Sequence, residues 1–269
     1  MAFSAYGLHL GIRVSDASVM GRLPEVLPYG WEPSDDPEVE LLYSMIVGDE
    51  GEAGPVRRLH VVYSDAMRLG RTDDLELALG ALEKDLHLFV GEMARGRVFV
   101  HAGVVGVCGR AIVMPGRSFS GKSSLVAALV RAGATYFSDE FAVLDHEGLV
   151  HPFARPLSLR CTDPYRGDPV TVEELGGTIG EGPLPVGAIV AATFAEGAAW
   201  KPQPLSPGET VLELLANTLS ARRQPEVVLP VLQQVAESAP AVKGDRGEAE
   251  EAAVAILGFA ATFTGGQKT

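Results

Sequence analysis

The stretch from Val113 to Glu140, VMPGRSFSGKSSLVAALVRAGATYFSDE, limits the possible folds of this chain more than any other. An apolar run, AIVM, leads into a loop bounded by Gly116 and Gly121, and the loop opens into the helix-forming run SSLVAALVRAGA. The run ATYF after it predicts another strand. A strand, a tight turn and a helix in that order belong to layered α/β architectures, in which helices cover a sheet. Gly116, Gly121, Lys122 and Ser123 also fit the spacing G-x-x-x-x-G-K-[ST] in the required context of a preceding strand and a following helix. Glycines let the backbone turn tightly enough for successive N–H groups to face phosphate oxygens, and the positive end of the following helix adds to that field. The residues expected to hold a nucleotide are Gly116, Arg117, Ser118, Phe119, Ser120, Gly121, Lys122, Ser123 and Ser124. Lys122 is expected to bridge the β- and γ-phosphates of ATP and Ser123 to ligate Mg²⁺.

Binding alone does not define a reaction. Sixteen residues after Ser123 come Asp139 and Glu140, at the end of the strand ATYF. In a parallel sheet the carboxyl ends of neighbouring strands share the ligand crevice, so these acids are expected beside the phosphates. One carboxylate holds the metal and the other accepts a proton from an attacking hydroxyl, which is the division of labour that phosphoryl transfer needs. Arg117, Arg155 and Arg160 are the candidate arginines for stabilising charge on a transferring phosphoryl group. His101, on a β-branched run, reads by itself as a strand histidine with a satisfied hydrogen bond.

Outside this stretch the chain carries organisation rather than chemistry. LHLGIRV and RRLHVVYS read as strands, separated by GWEPSDDPE and the glycine-rich GDEGEAGP. Leu75, Leu79, Leu82, Leu86, Phe89 and Met93 recur at helical spacing, with Thr72 or Asp73 as the expected cap and Gly96 as the stop. His87 reads as a tolerated residue at the boundary of that helix. RVFVHAGVVGVCGRAIVMPG reads as strand, turn at Cys-Gly-Arg, strand. SPGETVLELLANTLSA has a serine cap, proline at the first helical position and Glu209 closing a capping box. PEVVLPVLQQVAES, kinked or restarted at Pro230, and EAEEAAVAILGF are further helices. The expected division is a mixed N-terminal region over residues 1–97, an α/β core with C-terminal helices over 98–260 and a flexible tail over 261–269.

His101 in HAGVV, the loop GRSFSGKSS, the helix ending in RAGA, and SDE together resemble, in order and spacing, the catalytic core of the bifunctional HPr kinase/phosphorylases and the wider HPr-kinase-like set. The ATP-dependent phosphoenolpyruvate carboxykinases look like more distant relatives. The resemblance spans about Val98 to Arg160. It implies a P-loop kinase-like α/β core with a small α+β domain before it, in which Asp139 is the base for a serine hydroxyl, Glu140 a metal-side acid, His101 their neighbour and Arg160 a catalytic arginine. It also implies ATP and Mg²⁺ as cofactors, a protein or small ribosomal peptide as phosphate acceptor, and self-association. Three positions depart from the family pattern. Phe119 replaces a loop glycine, Glu140 replaces a second aspartate, and Ser158 stands where a glutamate is usual.

Net charge and hydropathy exclude several classes. A formal charge of -13 opposes counterion-releasing contact with nucleic acid or anionic lipid, so neither partner is expected. The opening MAFSAYGLHLGIRVSDASV lacks a basic segment followed by an apolar run, and no 18 consecutive apolar residues occur, so a cytoplasmic location is expected. The two cysteines, Cys108 and Cys161, have no metal spacing and read as buried thiols. The leading expectation is an ATP- and Mg-dependent kinase acting on a hydroxyl. The alternatives are a kinase of a free small alcohol, or a regulatory module that holds ATP without transferring phosphate.

Overall fold

The computed structural model describes residues 1–48, 59–117, 120–159 and 168–264. Among these the chain is mixed α/β, with a six-stranded and an eight-stranded sheet, a two-stranded ribbon and six α-helices, and it divides into two compact units, Met1–Gly96 and Arg97–Thr269.

The first unit contains β1 (Ala2–Ala5), β2 (Leu8–Val14), a single-turn α1 (Leu23–Val26), β3 (Glu32–Ser34), β4 (Leu41–Ile46), β5 (His60–Ser64), β6 (Met67–Thr72) and α2 (Leu75–Met93). Its sheet runs β3-β1-β2-β4-β5-β6. Alternation along β4 buries Leu41, Tyr43 and Met45, and the Tyr43 hydroxyl donates to Asp85 of α2 at 2.9 Å. The cap of α2 is Asp74, which accepts from the N–H groups of Glu76 and Leu77; Thr72, expected as the cap, is taken up as the last residue of β6, and Asp73 lies between them. His87 is not at a boundary: it is buried, and its Nε2 bonds the Val26 carbonyl oxygen at 3.2 Å. The loop GDEGEAGP lies outside the described residues beyond Gly48.

The second unit holds β7 (Val98–Val107), β8 (Arg110–Pro115), α3 (Lys122–Arg131), β9 (Thr135–Ser138), β10 (Phe141–Leu144), β11 (Leu149–His151), β12 (Leu157–Leu159), β13 (Asp168–Val170), β14 (Leu184–Phe194), β15 (Gln203–Leu205), α4 (Pro207–Leu215), α5 (Pro225–Ser238), β16 (Ala241–Arg246) and α6 (Ala249–Thr264). The hairpin between β7 and β8 turns at Cys108 and Gly109, both with positive φ, and Cys108 is exposed there rather than buried. Cys161 lies outside the described residues. The capping box of α4 forms as the sequence spells it, with Ser206 and Glu209 in reciprocal contact. Helix α5 runs through Pro230 as one element, and α6 continues to Thr264, so residues 261–264 are helix and not tail.

Two apolar faces explain the near-continuous hydrophobic runs of the central strands. Val105, Ile112, Met114, Val190 and Val242 face α3 and α6, while Val104, Val113, Ile189 and Ala241 face α4 and α5, giving helix, sheet and helix layers. The sheet is not purely parallel. β8, β14 and β16 are mutually parallel neighbours, but β7 is antiparallel to β8 on one edge and to β9 and β10 on the other. The acid-bearing strand β9 is therefore separated from the loop strand β8 by β7, and both run the same way. Close approach of α3 to β7 needs Gly103, where an added Cβ would lie 2.6 Å from Val126 Cγ2. Gly103→Ala is expected to force that contact apart at a cost of about 1–3 kcal/mol, read as a fall in thermal midpoint of several degrees.

Candidate functional site

Strand β8 ends where its continuous buried run ends, at Pro115. Gly116 makes one last sheet bond, donating its N–H to the His101 carbonyl at 3.1 Å, and the Asn217 carbonyl then takes over the β7 edge by accepting from His101 N–H at 2.7 Å. The chain is thus released from the sheet at Gly116 and re-enters regular structure at α3. An added Cβ at Gly116 would lie 2.8 Å from Ser120 Oγ, so Ser120 packs closely on Gly116. Gly121, the residue before α3, has φ +82°, a conformation natural to glycine. Ser118 and Phe119, expected to contact phosphate, lie outside the described residues, as does Arg160.

The start of α3 is bare of the usual partners. Among the described residues no side chain caps it, and its first turn holds no acidic residue, so the amides of that turn find no capping acceptor there. Lys122 is only 8 % exposed, and its Nζ donates to the carbonyl oxygens of Gly116 and Arg117, both at 2.8 Å. Ser120 Oγ is buried without a hydrogen-bond partner among the described residues. Ser123 is half-buried, and Arg117 and Ser124 are exposed. The Lys122 ammonium on the Gly116 and Arg117 carbonyls and the buried Ser120 hydroxyl thus stand together just before and at the start of α3.

The acids sit across β7 from this loop. Val104 pairs with Ser138 and His101 with Phe141, so the register carried through the two residues between them sets Asp139 opposite Gly103 and Glu140 opposite Ala102. Ala102 N–H donates to the Glu140 carbonyl at 3.1 Å. Gly116 and Glu140 therefore flank adjacent residues of one strand, about two inter-strand spacings, roughly 10 Å, apart. Asp139 Oδ1 accepts from the hydroxyl of Tyr136 at 3.1 Å, and the same hydroxyl meets the Arg155 carbonyl at 2.8 Å. Tyr136 is fully buried against α3, and burial with Asp139 beside it drives its pKa far up, so the hydroxyl keeps its proton. Tyr136 fixes the carboxylate on the α3 side of the sheet.

His101 lies between loop and acids. Burial, and then the Lys122 charge, lower its pKa to about 4, with Glu140 opposing, so the ring is neutral near pH 7. Because the folded pKa lies below the unfolded value near 6.5, the unfolded chain gains a proton first as pH falls. His101 should therefore cost up to about 3 kcal/mol of stability between pH 6.5 and pH 4. Urea denaturation of the wild type and His101→Gln across that window should show their difference shifting against the wild type toward pH 4.

The structure brings together Gly116, Ser120, Gly121, Lys122, His101, Asp139 and Glu140, with Arg155 joined through its backbone. It also shows residues that sequence reasoning missed: Tyr136, Asn217 and Arg246. Arg246 Nη2 donates to the Gly121 carbonyl at 2.8 Å from the end of β16, 125 residues away. Its one sequence signal is position, since Pro115, Phe194 and Arg246 all end parallel neighbouring strands on the same edge. Among the described residues, no three His, Cys, Asp or Glu side chains form a metal-holding group, and none of the helices is long and apolar enough to cross a membrane. No protein-family model matches the chain, and no curated protein matches it significantly.

Proposed function

We propose that this chain is an ATP- and Mg²⁺-dependent kinase that transfers the γ-phosphoryl group to a hydroxyl, with the serine of a protein or small peptide as the acceptor. One observation carries this reading: the glycine loop and the Asp139–Glu140 pair are tied by main-chain hydrogen bonds to adjacent residues of β7, His101 and Ala102. The resemblance of Val98–Arg160 to HPr-kinase-like cores supports the same assignment.

In this reading each residue takes a role that the geometry supports. Amides at the start of α3 and the Lys122 ammonium bind the phosphates, the ammonium exchanging loop carbonyls for phosphate oxygens. Ser123 and Glu140 are the residues to hold Mg²⁺, and their oxygen donors suit a hard cation that would neutralise charge on the phosphate oxygens. Asp139, positioned by Tyr136, takes the proton of the incoming hydroxyl as its oxygen bonds to phosphorus and the bond to ADP breaks. Neutral His101 leaves the charge balance to Lys122 and the acids.

A nucleotide-binding regulatory module is the second reading, favoured by Ser158, in β12, standing where the family carries a glutamate. Calorimetry with Mg-ATP, followed by γ-labelled ATP mixed with serine-containing peptides, separates the two. Binding with label transfer is expected. Binding without transfer to any acceptor or to water favours the module, and absence of binding overturns both.

A further inference from the structure

Arg246 is 2 % exposed. Among the described residues it has no ion-pair partner, and the nearby Glu248 and Glu250 are exposed. Its Nη1 donates to the Gly247 carbonyl and its Nη2 to the Gly121 carbonyl, each at 2.8 Å, and its Nε is buried with no hydrogen-bond partner among the described residues. The guanidinium carbon stands 5.4 Å from the centroid of the Phe194 ring. A Cβ on Gly121 would lie 2.4 Å from Nη2, so the guanidinium packs directly on the glycine that begins α3. The carboxylates of Glu248 and Glu250 act on the guanidinium by charge alone, and burial outweighs them. Burying a cation without a direct ion pair is unfavourable, and replacing such groups by apolar residues of similar size is often neutral or stabilising. Packing alone does not account for an arginine here.

We propose that Arg246 is a positioning residue for phosphate binding: its fork fixes the Gly121 carbonyl at the mouth of α3 and places a buried positive charge behind the glycine loop, tuning the loop for di- and triphosphates. This rests on the reading that the loop binds nucleotide phosphates. The guanidinium acts through Gly121 and through its field, and the strength of that field at the loop scales with the charge of the ligand.

The test uses the full chain and two variants. Arg246→Met keeps volume without charge, and Arg246→Lys keeps charge without the fork. Calorimetry with Mg-ATP, pyrophosphate and AMP is expected to show Arg246→Met binding ATP and pyrophosphate about tenfold or more weakly, with a smaller loss for AMP and with Arg246→Lys between wild type and Met. The thermal midpoint of Arg246→Met without ligand is expected to stay within a few degrees of wild type, while its rise on adding ATP shrinks. Equal ATP affinity in wild type and Met, or an equal loss for AMP and ATP, overturns the role of Arg246 and leaves nucleotide binding standing. A wild type that binds neither ATP nor pyrophosphate overturns the parent reading and this one with it. Should the Met variant not fold, Arg246→Lys with wild-type affinity for ATP and pyrophosphate overturns the proposal by itself.

Discussion

Lys122→Ala should weaken binding of Mg-ATP by at least about a hundredfold, since the ammonium supplies charge-assisted hydrogen bonds worth about 1.5–3 kcal/mol each. The side chain is almost fully enclosed and its Nζ already sits on two loop carbonyls, so the group is held at the loop before any ligand arrives. Little conformational entropy is then lost on binding, which is why the loss should fall on affinity. Calorimetry of both proteins measures it, with a thermal melt to confirm that the variant is folded. Affinity unchanged by the substitution would remove the loop from the account.

Asp139→Asn should separate binding from chemistry. Asparagine is nearly isosteric and its side-chain oxygen can still accept from the Tyr136 hydroxyl, so the loop and its nucleotide affinity should be retained within a few-fold. Without a carboxylate there is no base at that position, and phosphate transfer should fall by about a hundredfold to ten-thousandfold. Label transfer from γ-labelled ATP to a serine peptide, or to water as the acceptor, provides the measurement. Transfer that survives in the variant would assign the base elsewhere and leave Asp139 a structural partner of Tyr136.

Local chemistry was legible and long-range pairing was not. The capping box at Ser206, the turn at Cys108–Gly109 and the strand, loop and helix around Gly116 each rest on neighbours within a few residues, and each stands where its residues require. The α2 cap, expected at Thr72 or Asp73, lies one or two positions further on because three consecutive residues, Thr72, Asp73 and Asp74, can all cap, and only the pairing of β6 with β5 decides which remains outside the strand. The acids were correctly set at the carboxyl end of a strand, yet the direction of β9 relative to β7 has no signature in either segment. Nothing in AVKGDRGE marks its arginine as a neighbour of Gly121, since a contact across 125 residues leaves no period to read. Buried histidines such as His87 were missed for a similar reason, because the carbonyl that satisfies it belongs to Val26.

The bond from Arg246 to Gly121 also bears on biogenesis. Parallel pairing joins β8 to β14 and β14 to β16, contacts that close long loops and are slow to form. As the polypeptide leaves the ribosome, α3 can coil early, but the turn before it lacks its arginine until β16 has emerged and docked. Maturation of the glycine turn is therefore coupled to the emergence of β16, and nascent chains halted before Ala241 would carry the whole motif in their sequence without its finished shape.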